Sequence, residues 1–273
     1  MSFVVFTYCT ACNKAASSET SLYDSIPETK VIIPLIREIS GIAQSGLNSQ
    51  TLYGIEDSGN PPVLYQIGKD GLLVRKVVVK GAANRDWEDL VIVQGKVYIG
   101  DIGDNSAAYS NYTIYRFDEP VPGIDSVDAV EAIRFTYPDG PHDAEAFLVE
   151  GDNIYIITKR DAHSRIYKLA GPFNGTTVNA LYVGELPFNG VTSAALNTEG
   201  TELIIKTYTT LFYFHRNKNE PLEKTVANKS IQLPYTMEPQ GEAVCFAGDG
   251  SGYYTISELG FGSNVKLYYY KRK

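Results

Sequence analysis

The chain has 273 residues, with 24 Lys and Arg against 32 Asp and Glu for a formal charge of −8, and it contains 44% hydrophobic residues, 20 Tyr, 24 Gly and 3 Cys. That content buries a core without disulfide or metal staples and excludes disordered and collagen-like chains. No apolar run approaches the ~20 residues of a membrane-spanning helix, and an acidic balance disfavours a surface that tracks phosphates, so nucleic acid is not an expected partner.

Residues 1–12 read MSFVVFTYCTAC, an apolar stretch with no preceding Lys or Arg, followed by the polar run 13–20. Its last four residues resemble the lipobox of bacterial lipoproteins, in which small residues precede a Cys that is lipidated. Thr10 and Ala11 fit, Cys9 stands where a Leu is usual, and Cys12 would carry the lipid. The segment is shorter than a complete export signal and lacks its positive start; the alternative is a frayed tail of a cytosolic protein. The expected organisation is a truncated lipoprotein-type signal at 1–12, a polar tether at 13–29 and one domain at 30–273. The expected location is then the periplasm or cell surface, with membrane contact only through the lipid.

Beyond the tether, five segments repeat one order of events. They are SGIA (40–43) with TLYGIED and VLYQIG; EDLVIV (88–93) with KVYIGDIGDN and TIYRF; EAFLV (145–149) with NIYIITKR and RIYKL; SAAL (193–196) with ELIIKTYT and LFYFH; and EAVCF (242–246) with GYYTISEL and KLYYYK. Their first residues, Ser40, Glu88, Glu145, Ser193 and Glu242, are separated by 48, 57, 48 and 49 positions. A fourth strand-like run follows four of the segments, at 72–79, 130–138, 179–187 and 229–234, rich in β-branched and aromatic residues between Gly, Pro, Asn or Asp. Four antiparallel strands per repeat make the blade of an all-β propeller. The fifth repeat ends without its outer strand, and KVIIPLI (30–36) is expected to supply it and close the ring. Five blades follow; a six-bladed ring would need a divergent blade for which the spacing leaves no room. The inner runs are apolar at consecutive positions, as suits sheets covered on both faces.

In propellers, the loops leading into the inner strands and those between second and third strands open on one face around the central channel. This geometry gathers Glu88, Glu145 and Glu242 at a common axis, with Asp86, Asp143, Asp101, Asp104 and Asn105 around them. Carboxylates so crowded raise one another's pKa or recruit a counter-ion. Oxygen donors without a His/Cys cluster suit Ca²⁺, or Mg²⁺ with retained waters. The candidate metal set is Glu88, Glu145, Glu242, Asp101 and Asp104; the alternative is that the acids pair with Arg37, Arg85, Lys159, Arg160 and Lys206. Lys159 and Arg160 are candidates for gripping an anionic ligand. Trp87 is either a stacking platform at the mouth or a plug between blades. His142 is either a general base, with Glu88 and Glu145 as companion catalytic candidates, or a turn histidine. Cys245, within AVCF, reads as a buried small hydrophobe.

The runs RDWEDLVIV, KVYIGDIGDN, DAEAFLV, IYIITKR, VTSAAL and QGEAVCF resemble a set of largely uncharacterised bacterial exported β-propeller proteins. More distantly, the Glu-opened inner strands resemble phytase-like and gluconolactonase-like propellers. That likeness implies calcium held by acids at the central mouth and, in some members, hydrolysis of phosphoesters or lactones. Ser40, Ser193 and the five-blade count depart from it. The expectation is a monomeric, membrane-anchored propeller that binds a divalent cation, a small polar or anionic ligand, or a cell-surface component. The alternative is a calcium-dependent phosphoester or lactone hydrolase.

Overall fold

The computed structural model describes residues 21–273, which form five antiparallel blades. Blade 1 comprises Ile39–Gln44, Thr51–Glu56, Val63–Gly68 and Leu73–Val79; blade 2 comprises Trp87–Val93, Lys96–Asp101, Tyr112–Asp118 and Glu131–Thr136. Blade 3 is Ala144–Glu150, Asn153–Thr158, Arg165–Ala170 and Leu181–Glu185, and blade 4 is Val191–Leu196, Glu202–Thr207, Leu211–His215 and Ile231–Gln232. Blade 5 takes Gln240–Phe246, Gly252–Glu258 and Lys266–Lys271 from the end of the chain and Glu28–Val31 from its beginning. Each inner strand packs on the inner strands of its two neighbours, so the ring closes. The inner strands are buried along most of their length because blades cover both faces, and the apolar core lies in the seams between blades.

The closing strand lies slightly earlier than 30–36. Lys30 faces Leu267, but the pairing ends at Val31. Ile33 instead joins the outer edge of blade 1, donating its N–H to Gly71 O at 3.0 Å and accepting from Leu73 N at 2.9 Å, and Pro34 has no N–H to continue a ladder. Of residues 21–29, Tyr23 is fully buried in the seam of blades 4 and 5 and receives a 2.7 Å hydrogen bond from Arg272. The expected signal at 1–12, its Cys12 and residues 13–20 lie outside the described residues.

The long second interval of the repeat is accounted for by the loop before the outer strand of blade 2. Ser126–Val127 adds there in parallel to the outer edge of blade 1, covering backbone groups that would otherwise be open to pairing. One helix, Leu222–Val226, was not expected from sequence; it is a single turn after Pro221 that buries Leu222 and Val226. No described helix is long and apolar enough to cross a membrane.

Every inner strand carries a register shift at the same place, between Ile39/Gly41, Trp87/Asp89, Ala144/Ala146, Val191/Ser193 and Gly241/Ala243. A bulge leaves one residue unpaired and re-aims its side chain. Five times over, it turns one residue of the inner strand out of the ladder at the mouth end.

Candidate functional site

The bulged residues are Ser40, Glu88, Glu145, Thr192 and Glu242. The fourth is therefore Thr192 and not Ser193, and the true intervals are 48, 57, 47 and 50. Matching SAAL to EAFL by polarity slipped the register by one, because both Thr192 and Ser193 are small and polar. A second ring is formed by the second-strand residue that follows the partner of the residue just before each bulge: Asp57, Ile102, Lys159, Tyr208 and Glu258, of which Glu258 still pairs with Gln240.

Below them, Ser193 aligns with Asp89, and its hydroxyl donates to the Asp89 carboxylate at 3.2 Å. Asp89 is 1% exposed and also accepts from Leu90 N at 2.9 Å and Ala194 N at 3.4 Å. Gly41 lies against the same strand, where a Cβ would come within 2.8 Å of Leu90 N. Asp89 thus ties blades 2 and 4 beneath the mouth.

One group of carboxylates is tight. Asp57, Asp86 and Glu88 each place an oxygen within 4.8 Å of the others. They come from the second-strand exit of blade 1, the loop leading into blade 2 and the bulge of blade 2. Asn84 fixes the first of these loops by donating to Glu56 O at 2.9 Å and Asp57 O at 2.8 Å. Among the described residues no Lys or Arg forms an ion pair with any of the three, and no hydrogen bond reaches the Glu88 carboxylate, which is 6% exposed. Burial, then the charges of Glu145, Asp57, Asp86 and Glu242, hold the Glu88 carboxyl well above its usual range. Burial and then Asp57 push Asp86 up to about 7. Gly103 bounds this cradle: a Cβ there would lie 2.2 Å from Glu88 Oε1 and 2.4 Å from Asp86 Oδ2. Any side chain at 103 would displace the carboxylates.

The other sequence-derived candidates are placed differently. Asp101 accepts from Arg85 N at 3.1 Å and Asp86 N at 2.8 Å, which shapes the loop that presents Asp86. Asp104 accepts from Ala108 N, Tyr109 N and the Tyr112 hydroxyl; burial opposes ionisation, but these bonds together hold its carboxyl below the usual range. Both carboxylates are thus occupied in loop geometry and lie outside the tight group. Glu145 is paired with Lys159, whose ammonium also donates to the Tyr208 hydroxyl at 2.6 Å. Burial opposes the Lys159 charge, but Glu145 and Tyr208 outweigh it and raise its pKa. Arg160 pairs with Asp143 at 2.6 Å and also donates to Asn105. Glu242 stands in the first ring, 5% exposed, beyond the tight group.

His142 lies between Asp161 at 3.1 Å and Asp139 at 3.2 Å, with the Tyr167 hydroxyl 3.0 Å from Nε2. Trp87 fills the seam of blades 1 and 2 and donates from Nε1 to Ala83 O at 2.9 Å. Cys245 is buried, and burial pushes its thiol up.

Sequence reading placed Asp86 and Lys206 at the mouth without assigning either to the metal set, and missed Tyr208 and Gly103. The signal for Tyr208 was its place in the repeat, the second-ring position at which blades 1, 3 and 5 carry Asp57, Lys159 and Glu258. Lys206 occupies the register place filled by Ile55, Ile157 and Ile256 in other blades. It is fully buried, donates to the Tyr235 hydroxyl at 2.9 Å and lies 3.8 Å from Glu238. Burial lowers its pKa against the opposing pull of Glu238 and Glu242.

No protein-family model and no curated protein matches the chain. Solved structures do. The PQQ-bound aldose sugar dehydrogenase of Streptomyces coelicolor is similar at 11% identity over 92% of this chain and 100% of that one, with a TM-score of 0.51. Kuenenia stuttgartiensis hydrazine synthase is similar at 14% identity over 86% of this chain and 71% of that one, with a TM-score of 0.45. A candidate 6-phosphogluconolactonase of Bacteroides uniformis gives 14%, 86%, 71% and 0.42. At these identities the likeness is one of fold.

Proposed function

We propose that this propeller is a binding module whose mouth takes a divalent cation, Ca²⁺ by preference, on Asp57, Asp86 and Glu88. The observation that supports this reading is one tight group of three carboxylates, drawn from two blades, with no cation of the fold among them. Ca²⁺ bound at about 2.4 Å spans oxygens up to about 4.8 Å apart, the spread found here, and tolerates irregular oxygen shells completed by water. Mg²⁺ demands a stricter octahedron and fits a set of flexible loop donors less well. The ion would supply the positive charge that the three carboxylates lack, and Gly103 would keep the cradle open for it.

A hydrolase would also need a free cationic group to hold an anion. Lys159 and Arg160 are engaged by Glu145 and Asp143, so binding without turnover is the better reading. The same reading keeps the domain outside the cytoplasm, tethered through Cys12; metabolic labelling with a fatty acid that survives Cys12→Ser would sink that part. For the cation, thermal melts in chelator, Ca²⁺ and Mg²⁺ decide. Ca²⁺ is expected to raise Tm and to lose that effect in Asp57→Asn, and a Tm indifferent to every divalent ion removes the proposal.

A further inference from the structure

Away from the tight carboxylates, three side chains line up as a proton relay. Asp161 Oδ2 lies 3.1 Å from His142 Nδ1, and His142 Nε2 lies 3.0 Å from the Tyr167 hydroxyl. That hydroxyl is also 2.8 Å from Asp139 Oδ2. With its Nδ1–H given to Asp161, the neutral imidazole offers Nε2 as an acceptor. Burial opposes ionisation of Asp139, but its contacts with Tyr167 and His142 hold the carboxyl below the usual range, so the imidazole is the better base of the two. Burial, opposed by Arg165 and joined by Asp139, raises the Tyr167 phenol above its usual range and keeps it protonated. A carboxylate, an imidazole and a hydroxyl in this order commonly serve a nucleophile or an acid. Such a group must touch the molecule it acts on, and Tyr167 is fully buried. An electron, unlike a proton, leaves a buried ring without contact.

Tyr167 also stands in a row of aromatic rings. Its centroid lies 4.7 Å from that of Tyr137, which lies 4.9 Å from that of Tyr112, both pairs edge to face. On the other side Tyr182 is 5.8 Å away. Tyr112, Tyr137 and Tyr167 are buried in the seam of blades 2 and 3, whereas Tyr182, on the outer strand of blade 3, is 46% exposed. Each ring is within interacting range of the next, so the row runs from the seam to the surface. Tyr137 has a buried hydroxyl without a hydrogen-bond partner. Among the described residues the other exposed tyrosine is Tyr109, at 41%, which stacks on the Arg85 guanidinium at 4.0 Å rather than on a ring of the row.

We propose that Tyr167 is a redox-active tyrosine and that the row carries oxidising equivalents to the surface at Tyr182. A one-electron oxidant in solution, a radical or a high-potential metal complex, takes an electron from Tyr167. The phenolic proton moves to His142 Nε2, leaving a neutral tyrosyl radical and an imidazolium held by Asp161. Tyr182 then gives an electron to Tyr167, which recovers its proton from His142, while Tyr182 loses its own proton to water and becomes the radical. A thiol in solution restores Tyr182 by giving up a hydrogen atom and becoming a thiyl radical. Tyr137 sets the direction: with no acceptor for its proton, a hole on that ring passes to Tyr167, where the acceptor is in place. None of these residues is Asp57, Asp86 or Glu88, so the relay does not rest on the divalent ion.

The full chain oxidised by flash-generated tris(bipyridine)ruthenium(III), followed by transient absorption and by electron paramagnetic resonance, tests the relay. A tyrosyl radical is expected, and Tyr167→Phe, which keeps the ring, should remove most of it. His142→Phe keeps a ring against Tyr137 and should slow radical formation about 100-fold, the low end of what a positioned proton acceptor contributes. Melting curves establish that both variants are folded. A further measurement needs no variant. After oxidation, mass spectrometry of the wild type is expected to find Tyr182 modified well ahead of Tyr109, although the two are similarly exposed. In Tyr167→Phe the two should even out. Absence of a tyrosyl radical, a yield unchanged in Tyr167→Phe, a rate unchanged in His142→Phe, or equal modification of Tyr109 and Tyr182 in the wild type overturns the proposal.

Discussion

On the blade 3 and 4 side of the mouth, buried carboxylates meet cations of the fold: Glu145 with Lys159, Asp143 with Arg160, and Glu238 with Lys206. On the blade 1 and 2 side, Glu88 and Asp57 hold the ring positions of Glu145 and Lys159, Asp86 holds the loop place of Asp143, and none of the three meets a Lys or Arg. The same bulge and the same ladder end are used on both sides. The difference lies in which residue each blade carries there. Where the second ring carries Lys159, the propeller neutralises its own bulged Glu; where it carries Asp57, it adds charge to a group that already repels. Only the second arrangement calls for something from solution.

Predictions follow from that contrast, the largest first. Lys206→Met removes the partner of a buried carboxylate, Glu238. Stranding such a charge costs about 3–5 kcal/mol, so Tm should drop by of order 10 °C, with the Ca²⁺ response intact. If Tm is unchanged, the neutralised side does not depend on its ion pairs. Ca²⁺ at about 100 times its Kd should stabilise the wild type by about 2.7 kcal/mol, or roughly 5–10 °C in a melt. Glu88→Gln should do the opposite of Lys206→Met. Removing a repelling charge should raise the metal-free Tm by about 2–4 °C while abolishing the Ca²⁺ gain. A fall in metal-free Tm would mean that Glu88 is already compensated.

The smallest effect is in pH. Asp86 holds its proton to about 7 in the folded state but releases it near 3.8 when unfolded, and Glu258 behaves alike between 4.5 and about 8. The folded state therefore binds more protons in this window, and metal-free stability is greatest near pH 4 and declines toward pH 8. Both groups are partly solvated, so the decline should be a few degrees at most. Ca²⁺ should flatten it and stabilise more at pH 8 than at pH 5, as scanning fluorimetry across that range would show. A Ca²⁺ gain that is larger at pH 5 would contradict the carboxylate site.

Much of the ring was legible. Repeated apolar triplets with tyrosines gave the blade count, and the short fifth repeat indicated closure by the start of the chain. The closing strand was misjudged because KVIIPLI reads as one β run, whereas Ile33 leaves for the neighbouring blade ahead of Pro34. The site was legible in kind but not in membership. Glu88 was found because Glu opens three inner strands. Asp101 and Asp104 attracted notice through their spacing in GDIGDN, yet backbone N–H groups and Tyr112 use them up. Such local bonding depends on loop shape, and spacing does not report it.

By itself the sequence determined the periodic unit, the all-β class, the acidic mouth and the identities of the bulged Glu residues, because each depends on local pattern repeated along the chain. Tertiary structure decided which acids meet a lysine, which share a cradle beside Gly103, and that Thr192, not Ser193, faces the mouth. Charge pairing across blades falls off within a few ångströms, and register within a bulged strand turns on a single residue. Both are set by how distant segments dock and cannot be read from spacing along the chain.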